Sequence, residues 1–270
     1  MCAQAGSGRT RRSASTTAFA GEPRGPHLMA RSDPIVELFL PPPAPPRPSG
    51  VRAGNVILLS GLTAPEGTTL EEQSRLALEK MEVLLKRAGA GPENVGRVAA
   101  FVARPEERED FYRPWEALYA DKDDKPACKA IGGTLPEGCL ISLEVFALPG
   151  ARRRRIDIPG VPARDPTVVI GNYVLSSRVH GTVPETGRVP EDPDADVEQT
   201  FRNILSLVEL AGGRASNVCQ LTAFMRDESY GPLAGARLAK TFPDQRPAFH
   251  PLVAYLSPRM NFMLEMVAVL

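Results

Sequence analysis

A repeat within the chain limits what it can fold into more than any other feature. Gly54-Asn55 through Ser60-Gly61 returns as Gly171-Asn172 through Ser177-Arg178. Ala88-Gly89 and Asn94-Val95 return as Ala211-Gly212 and Asn217-Val218. Further on, Ala100-Phe101 returns as Ala223-Phe224, Pro126-Ala127 as Pro247-Ala248, and Leu143-Glu144 as Leu264-Glu265. Patterns that recur in one order at a shift near ~120 residues imply two copies of one structural unit. Positions where the copies depart from their shared pattern are the candidates for specialised chemistry.

Each copy reads as the same run of elements. Asn55 to Leu62 is short, apolar and bounded by Gly54 and Pro65, which predicts a buried strand. Ala77, Met81, Leu84, Leu85 and Ala88 recur at three- and four-residue steps, so a helix over 70–88 lays one apolar stripe on a sheet. Gly89 ends it. Val95 to Val102 is a second strand, 109–119 a second helix, and 130–133 and 140–147 are closing strands. In the second copy Phe201, Ile204, Leu205, Val208 and Ala211 form the helical stripe, and 264–270 the last strand. The expected fold class is α+β: two tandem domains, each a mixed sheet with two helices on one face.

The boundaries follow. Residues 49–149 and 167–270 are the two domains, and 150–166 an Arg-rich linker. Within it, Arg152 to Arg155 read either as a solvated basic loop or as an anion-binding patch. Residues 1–48 are rich in Ala, Arg, Ser and Pro and end in a proline run, so they read as a disordered tail. Their apolar content is too low for an export signal, and Met29 is an alternative start. No run approaches the ~18 apolar residues of a membrane span. Lys+Arg and Asp+Glu both number 32, which gives no bulk attraction to nucleic acid or membrane. Cys2, Cys128, Cys139 and Cys219 make no C-x-x-C pair. That predicts free thiols in a reducing, cytoplasmic setting, with neither metal nor cofactor.

The first half resembles the RidA/YjgF family of reactive-intermediate deaminases. The matching motifs are Gly54-Asn55 through Ser60-Gly61, then Gln73 and Leu78 followed by Ala88-Gly89, then Pro126-Ala127, and finally the strand ending Glu144 to Ala147. Lys80 stands where the family has Asn, and the second half keeps that residue as Asn203. The resemblance implies chorismate-mutase-like domains, assembly as a trimer, and ligand pockets in clefts between neighbouring domains.

The same resemblance singles out what is missing. Family members bind a substrate carboxylate with the Arg of P-A-R, and a first strand Glu positions the hydrolytic water. Here Cys128 and Phe249 stand at the two Arg positions, and Ser142 and Met263 at the two Glu positions. Only the second acid survives, as Glu144 and Glu265. Arg178 replaces the Gly of the first strand motif, with His180 beside it. The Arg is either a relocated positive charge or an interface salt bridge. His180 is either an acid–base group or an edge residue. Cys128 is either a nucleophile or a filler of the space the Arg vacated. Phe249 and Met263, with Tyr255, suggest an apolar second pocket.

These residues lead to two expectations. One is a divergent enzyme acting on a small imine, enamine or carbonyl intermediate by hydrolysis, tautomerisation or cyclisation. Its catalytic lining would be Cys128, Ser142, Glu144 and His180, with Arg178, Phe249, Met263 and Glu265 binding substrate. The other is a non-catalytic module for a small ligand or a partner protein. Both are expected to be homo-oligomers, a trimer or a trimer-like ring. Near-neutral charge without an aromatic-plus-basic stripe argues against RNA cleavage.

Overall fold

The computed structural model describes residues 35–41, 47–256 and 260–270. The chain divides into Met1–Ser32, which lies outside the described residues, and Asp33–Leu270. The latter holds two α+β domains of one plan. The first has strands β1 (Ile35–Leu38), β2 (Gly50–Ala53), β3 (Val56–Leu62), β4 (Val95–Val102), β5 (Ala127–Gly132) and β6 (Ile141–Ala147). Helices α1 (Leu70–Arg87) and α2 (Glu109–Leu118) cover it. The second has β7 (Arg153–Ile156), β8 (Thr167–Ile170), β9 (Tyr173–Leu175), β10 (Val218–Met225), β11 (Ala248–Val253) and β12 (Phe262–Val269), with α3 (Pro193–Leu210) and α4 (Tyr230–Thr241). Strand order is β1-β2-β3-β6-β4-β5 in one sheet and β7-β8-β9-β12-β10-β11 in the other. Among the described residues only β4–β5 and β10–β11 pair in parallel.

Local chemistry sets the elements. Thr69 caps α1 by accepting from the Glu72 amide, and the Glu72 carboxylate accepts from the Thr68 amide in return. Asp192 caps α3 in the same way through the Ala195 amide. Gly54 and Gly171 both take φ of 58° in the tight turns joining β2 to β3 and β8 to β9, a conformation that disfavours side chains. The stripe of α1, including Met81, Leu84 and Leu85, is fully buried on the sheet with Trp115 and Phe111 of α2. Each such side chain contributes roughly 1.5–3 kcal/mol on burial. Phe201, Ile204 and Val208 play the same part in the second core.

Two boundaries differ from the sequence reading. Ile35–Leu38 lies inside the expected tail, yet it pairs with β2 and buries Leu38 at 4% exposure. Residues 1–34 and 42–46 of that tail lie outside the described residues. Arg153–Ile156 lies inside the expected linker, yet it forms the edge strand of the second sheet. Composition hid both: the proline run masks the first and the arginine run the second. Arg153 is no solvated loop residue. Its guanidinium donates to the carbonyls of Pro92, Val95 and Asp124, pairs with the Asp124 carboxylate at 3.0 Å, and sits 5.2 Å over the Tyr119 ring.

The helix-free faces of the sheets pack on each other. Ala127 and Phe146 meet Val168, Ile170 and Leu175 at one end, and Ile131 and Phe101 meet Phe224 and Met263 at the other. Between them the buried Glu265 carboxylate pairs with Arg97 at 2.9 Å and Lys129 at 2.5 Å. No helix among the described residues is long and apolar enough to cross a membrane.

Candidate functional site

The second half, with the segment that leads from β7 to β8, lines a cavity of about 580 Å³. Its walls are the segment 156–165 that leads into the second sheet, the loop 177–189 and Leu207 of α3. A smaller cavity of about 200 Å³ shares Arg164, Arg178, His180 and Met260 with it, and adds Arg108, Glu109 and Tyr112 from the first half. The two adjoin through these shared residues, and α2 of the first half walls only the smaller one.

The loop holds Arg178 and His180 in place through backbone contacts. Val179 pairs with Leu264 on β12, and the Asn203 amide of α3 donates to the carbonyls of His180 and Thr182. Strand alternation then presents the two side chains on one side of Val179. Ser177 ties this loop to the first half: its hydroxyl donates to the Cys128 carbonyl at 2.6 Å. On the opposite wall Arg164 lies 3.6 Å over the Tyr112 ring and forks onto Glu109 and Glu116. The Tyr112 hydroxyl donates to Asp165, whose carboxylate also pairs with the buried Lys125 at 3.1 Å.

Two nitrogens in this cleft are left over. Arg178 Nε and His180 Nδ1 are buried and make no hydrogen bond. Such orphans are costly unless something occupies them. Burial, with the Arg178 charge adding to it, pushes His180 down to about 4, so its imidazole is neutral at neutral pH. Burial also pushes Tyr112 well above the usual phenol range. An unpaired guanidinium edge next to a neutral imidazole suits a small anion with a reacting atom alongside.

The structure unites only part of the expected site. Arg178, His180 and Met263 line the cleft. Cys128 does not, because its thiol is fully buried in the first core. Burial, then Asp165, pushes that thiol well above its usual range, against smaller opposing effects of Lys125, Arg178 and Arg164. Ser142 and Glu144 lie on the other face of the sheet. The register decides this: Cys128 and Val145 both pair with Val98, whereas Ser142 pairs with Phe101 and Glu144 with Ala99. Glu144 is exposed, with Ser60 Oγ at 3.4 Å. The expected Phe249–Met263 pocket is likewise split. Phe249 packs on the second core, while Met263 packs between the sheets. Tyr255 is exposed. Glu265 is occupied by Arg97 and Lys129. Arg164, Asp165 and Tyr112 were missed, and their partners lie about fifty residues away in sequence, beyond any local pattern. Among the described residues no cluster of three His, Cys, Asp or Glu side chains could hold a metal.

No family model matches the chain. A RutC family protein of Pasteurella multocida (strain Pm70) is 29% identical over 107 residues, covering 38% of this chain and 83% of its own. The 2-iminobutanoate/2-iminopropanoate deaminase of Escherichia coli (strain K12) is 33% identical over 60 residues, 22% of this chain and 47% of its own. In sequence the chain is similar to members of the RidA/YjgF family. Among solved structures, RidA from the Antarctic bacterium Psychrobacter sp. PAMC 21119 is 26% identical, with a TM-score of 0.41 over 43% of this chain and 99% of its own. The E. coli YjgF gene product is 25% identical, with a TM-score of 0.40 over 43% and 98%. Arg178 is one of four arginines that line the two cavities, with Arg108, Arg164 and Arg188.

Proposed function

We propose that this chain is a divergent RidA-family enzyme that hydrolyses a small imine or enamine carrying a carboxylate, in the cleft between its halves. The observation that carries this reading is the pair of unpartnered nitrogens, Arg178 Nε and His180 Nδ1, on residues that line both cavities. The guanidinium edge binds the carboxylate. The neutral imidazole takes a proton from a water as its oxygen bonds to the C=N carbon, giving a carbinolamine. The imidazole returns that proton to the nitrogen; the carbinolamine hydroxyl then gives its own proton to the same nitrogen as the C–N bond breaks, so ammonia leaves and a carbonyl remains. The relative named as a 2-iminobutanoate/2-iminopropanoate deaminase supports this substrate class over tautomerisation or cyclisation of a carbonyl compound. The same reading makes the protein a cytoplasmic homo-oligomer, a trimer or trimer-like ring.

A second reading is a ligand-binding module without turnover. It is favoured by the burial of the Cys128 thiol and by the absence of Ser142 and Glu144 from the lining of either cavity. Ammonia release from 2-aminoacrylate, generated by a coupled lyase, separates the two. Saturable acceleration, lost in Arg178→Ala, supports hydrolysis. Unchanged release together with measurable binding of a small carboxylate supports the module.

A further inference from the structure

Charge is unevenly balanced around the two cavities. The whole chain carries 32 basic and 32 acidic residues. At the cavities every lining acid is already committed: Asp157 to Arg155, Asp165 to Lys125, and Glu109 to Arg164. Of the four lining arginines, only Arg164 is answered by carboxylates, those of Glu109 and Glu116. Among the described residues the side chains of Arg108 and Arg188 form no ion pair or hydrogen bond, and Arg178 keeps its buried Nε unsatisfied. Three guanidinium groups without a counter-charge exceed what one carboxylate neutralises, and a cleft of one sign draws the opposite charge. Arg188 is also fixed in place by its backbone. Val183 and Arg188 form an antiparallel bridge, in which the Val183 amide donates to the Arg188 carbonyl at 2.9 Å. Gly187 turns the chain between them with φ of 65°, a conformation that disfavours side chains.

We propose that the substrate is a dicarboxylate, an imine or enamine whose second carboxylate is bound by Arg188. This rests on the reading of the cleft as a site that hydrolyses a carboxylate-bearing imine, and it specifies the rest of the molecule bound there. Arg178 and His180 line both cavities, so the first carboxylate and the C=N carbon sit where the cavities adjoin. Arg108 adds its charge from the smaller cavity. The carbon chain then enters the larger cavity, where Ile158, Val161, Val189 and Leu207 give it an apolar wall. The second carboxylate ends at Arg188. That residue is exposed, so its guanidinium is hydrated in the free protein. Binding exchanges this water for two parallel charge-assisted hydrogen bonds.

Size agrees with a longer molecule. Cavities of roughly 300–1,000 Å³ hold drug-sized ligands, and the larger of these two is about 580 Å³. A three-carbon imino acid would leave most of it to water. A carboxylate also suits these residues better than a phosphate ester as the second anion. Phosphates are favoured where helix N-terminal amides can face them. Helix α2, which starts at the smaller cavity, carries Glu109 and Asp110 in its first turn, and these repel a doubly charged phosphate. A single planar guanidinium matches one carboxylate.

Stable analogues test binding apart from turnover. Calorimetric titration of the full chain, at low ionic strength and neutral pH, would compare butyrate with succinate and pentanoate with glutarate. At least one dicarboxylate should bind tenfold more tightly than the monocarboxylate of the same length. Arg188→Ala should bring it down to the monocarboxylate's affinity, and Arg188→Lys should keep part of the gain. Arg202→Ala removes an exposed charge on α3 outside both cavities and should leave the preference intact. Equal affinity for the two classes would overturn the dicarboxylate and leave the cleft as a site for a single carboxylate. A preference that survives Arg188→Ala, or is lost in Arg202→Ala, would also overturn it. Failure of every carboxylate to bind would instead overturn the cleft itself, and the hydrolase reading with it.

Discussion

Arg178 and His180 matter because each keeps a buried nitrogen unsatisfied at the same cleft. Arg178→Ala should lower turnover or carboxylate affinity at least tenfold, which is about 1.4 kcal/mol. The melting temperature should move little, because Nε has no protein partner to lose. An unchanged affinity in an assay of the purified variant would remove Arg178 from the site. His180 and Asp196, both in the second half, act on stability in opposite directions. His180 is depressed to about 4, so its contribution is present above the unfolded value and lost as pH falls from 6.5 through 4. Asp196 is raised by burial to about 7, with Thr200 opposing, so its neutral form is favoured in the fold. It costs nothing below the unfolded value, and the cost grows as pH rises from about 4 to 7. The full effect is roughly 4 kcal/mol at ~1.4 kcal/mol per unit. Asp196 is 1% exposed and its carboxylate lies where a Cβ at Gly181 would be. Asp196→Asn should therefore flatten the fall in melting temperature between pH 5 and pH 8. A pH profile that matches wild type would show that Asp196 is not the group responsible.

At the scale of elements, the repeat made most of the fold legible. Val95–Val102 coincides with the sequence expectation, and α1 and α2 each end one residue short of it. Apolar periodicity reports burial against a sheet, and these elements bury whole stripes. Edge strands carry little of that signal. In Ile35–Leu38 only Leu38 is buried, and in Arg153–Ile156 the ends are buried while the middle is not. Each was read by the composition of its surroundings instead. The site shows the same limit. Arg178 and His180 stood out as departures between copies, whereas Tyr112 and Asp165 meet only through the fold. Strand β1 allows a direct test. A chain starting at Pro48 loses Leu38 from the core and the bond from Arg87 to the Phe39 carbonyl. It should be less stable than a chain starting at Asp33 by about 2 kcal/mol, the scale of one buried leucine. Equal melting temperatures would mean that β1 contributes nothing to the sheet.

On the scale of the whole molecule, the two halves are joined through their sheets as one domain is joined to its own helices. Apolar clusters flank a buried carboxylate neutralised by two cations, and Arg153 bolts the start of the second sheet to the first half. A junction of this kind should make the halves unfold together, in a single calorimetric transition. It also has a point where packing leaves no slack. At Gly96 a side chain would collide with Ile170 and Leu175, and buried strands cannot shift without disturbing the register on both sides. Gly96→Val should therefore separate the sheets at a cost of roughly 1–3 kcal/mol, as overpacking does. Each half keeps its own core, so the loss should appear as a split into two transitions rather than as loss of folding. Glu265→Gln attacks the same junction differently, leaving Arg97 and Lys129 without their counter-charge; the loss should again be several kcal/mol. Because Glu265 bridges the halves, this variant too should unfold in two steps. Calorimetry that found one undivided transition in both variants would mean that the halves are coupled elsewhere, and the sheet-to-sheet contact would lose its place as the feature that unites the molecule.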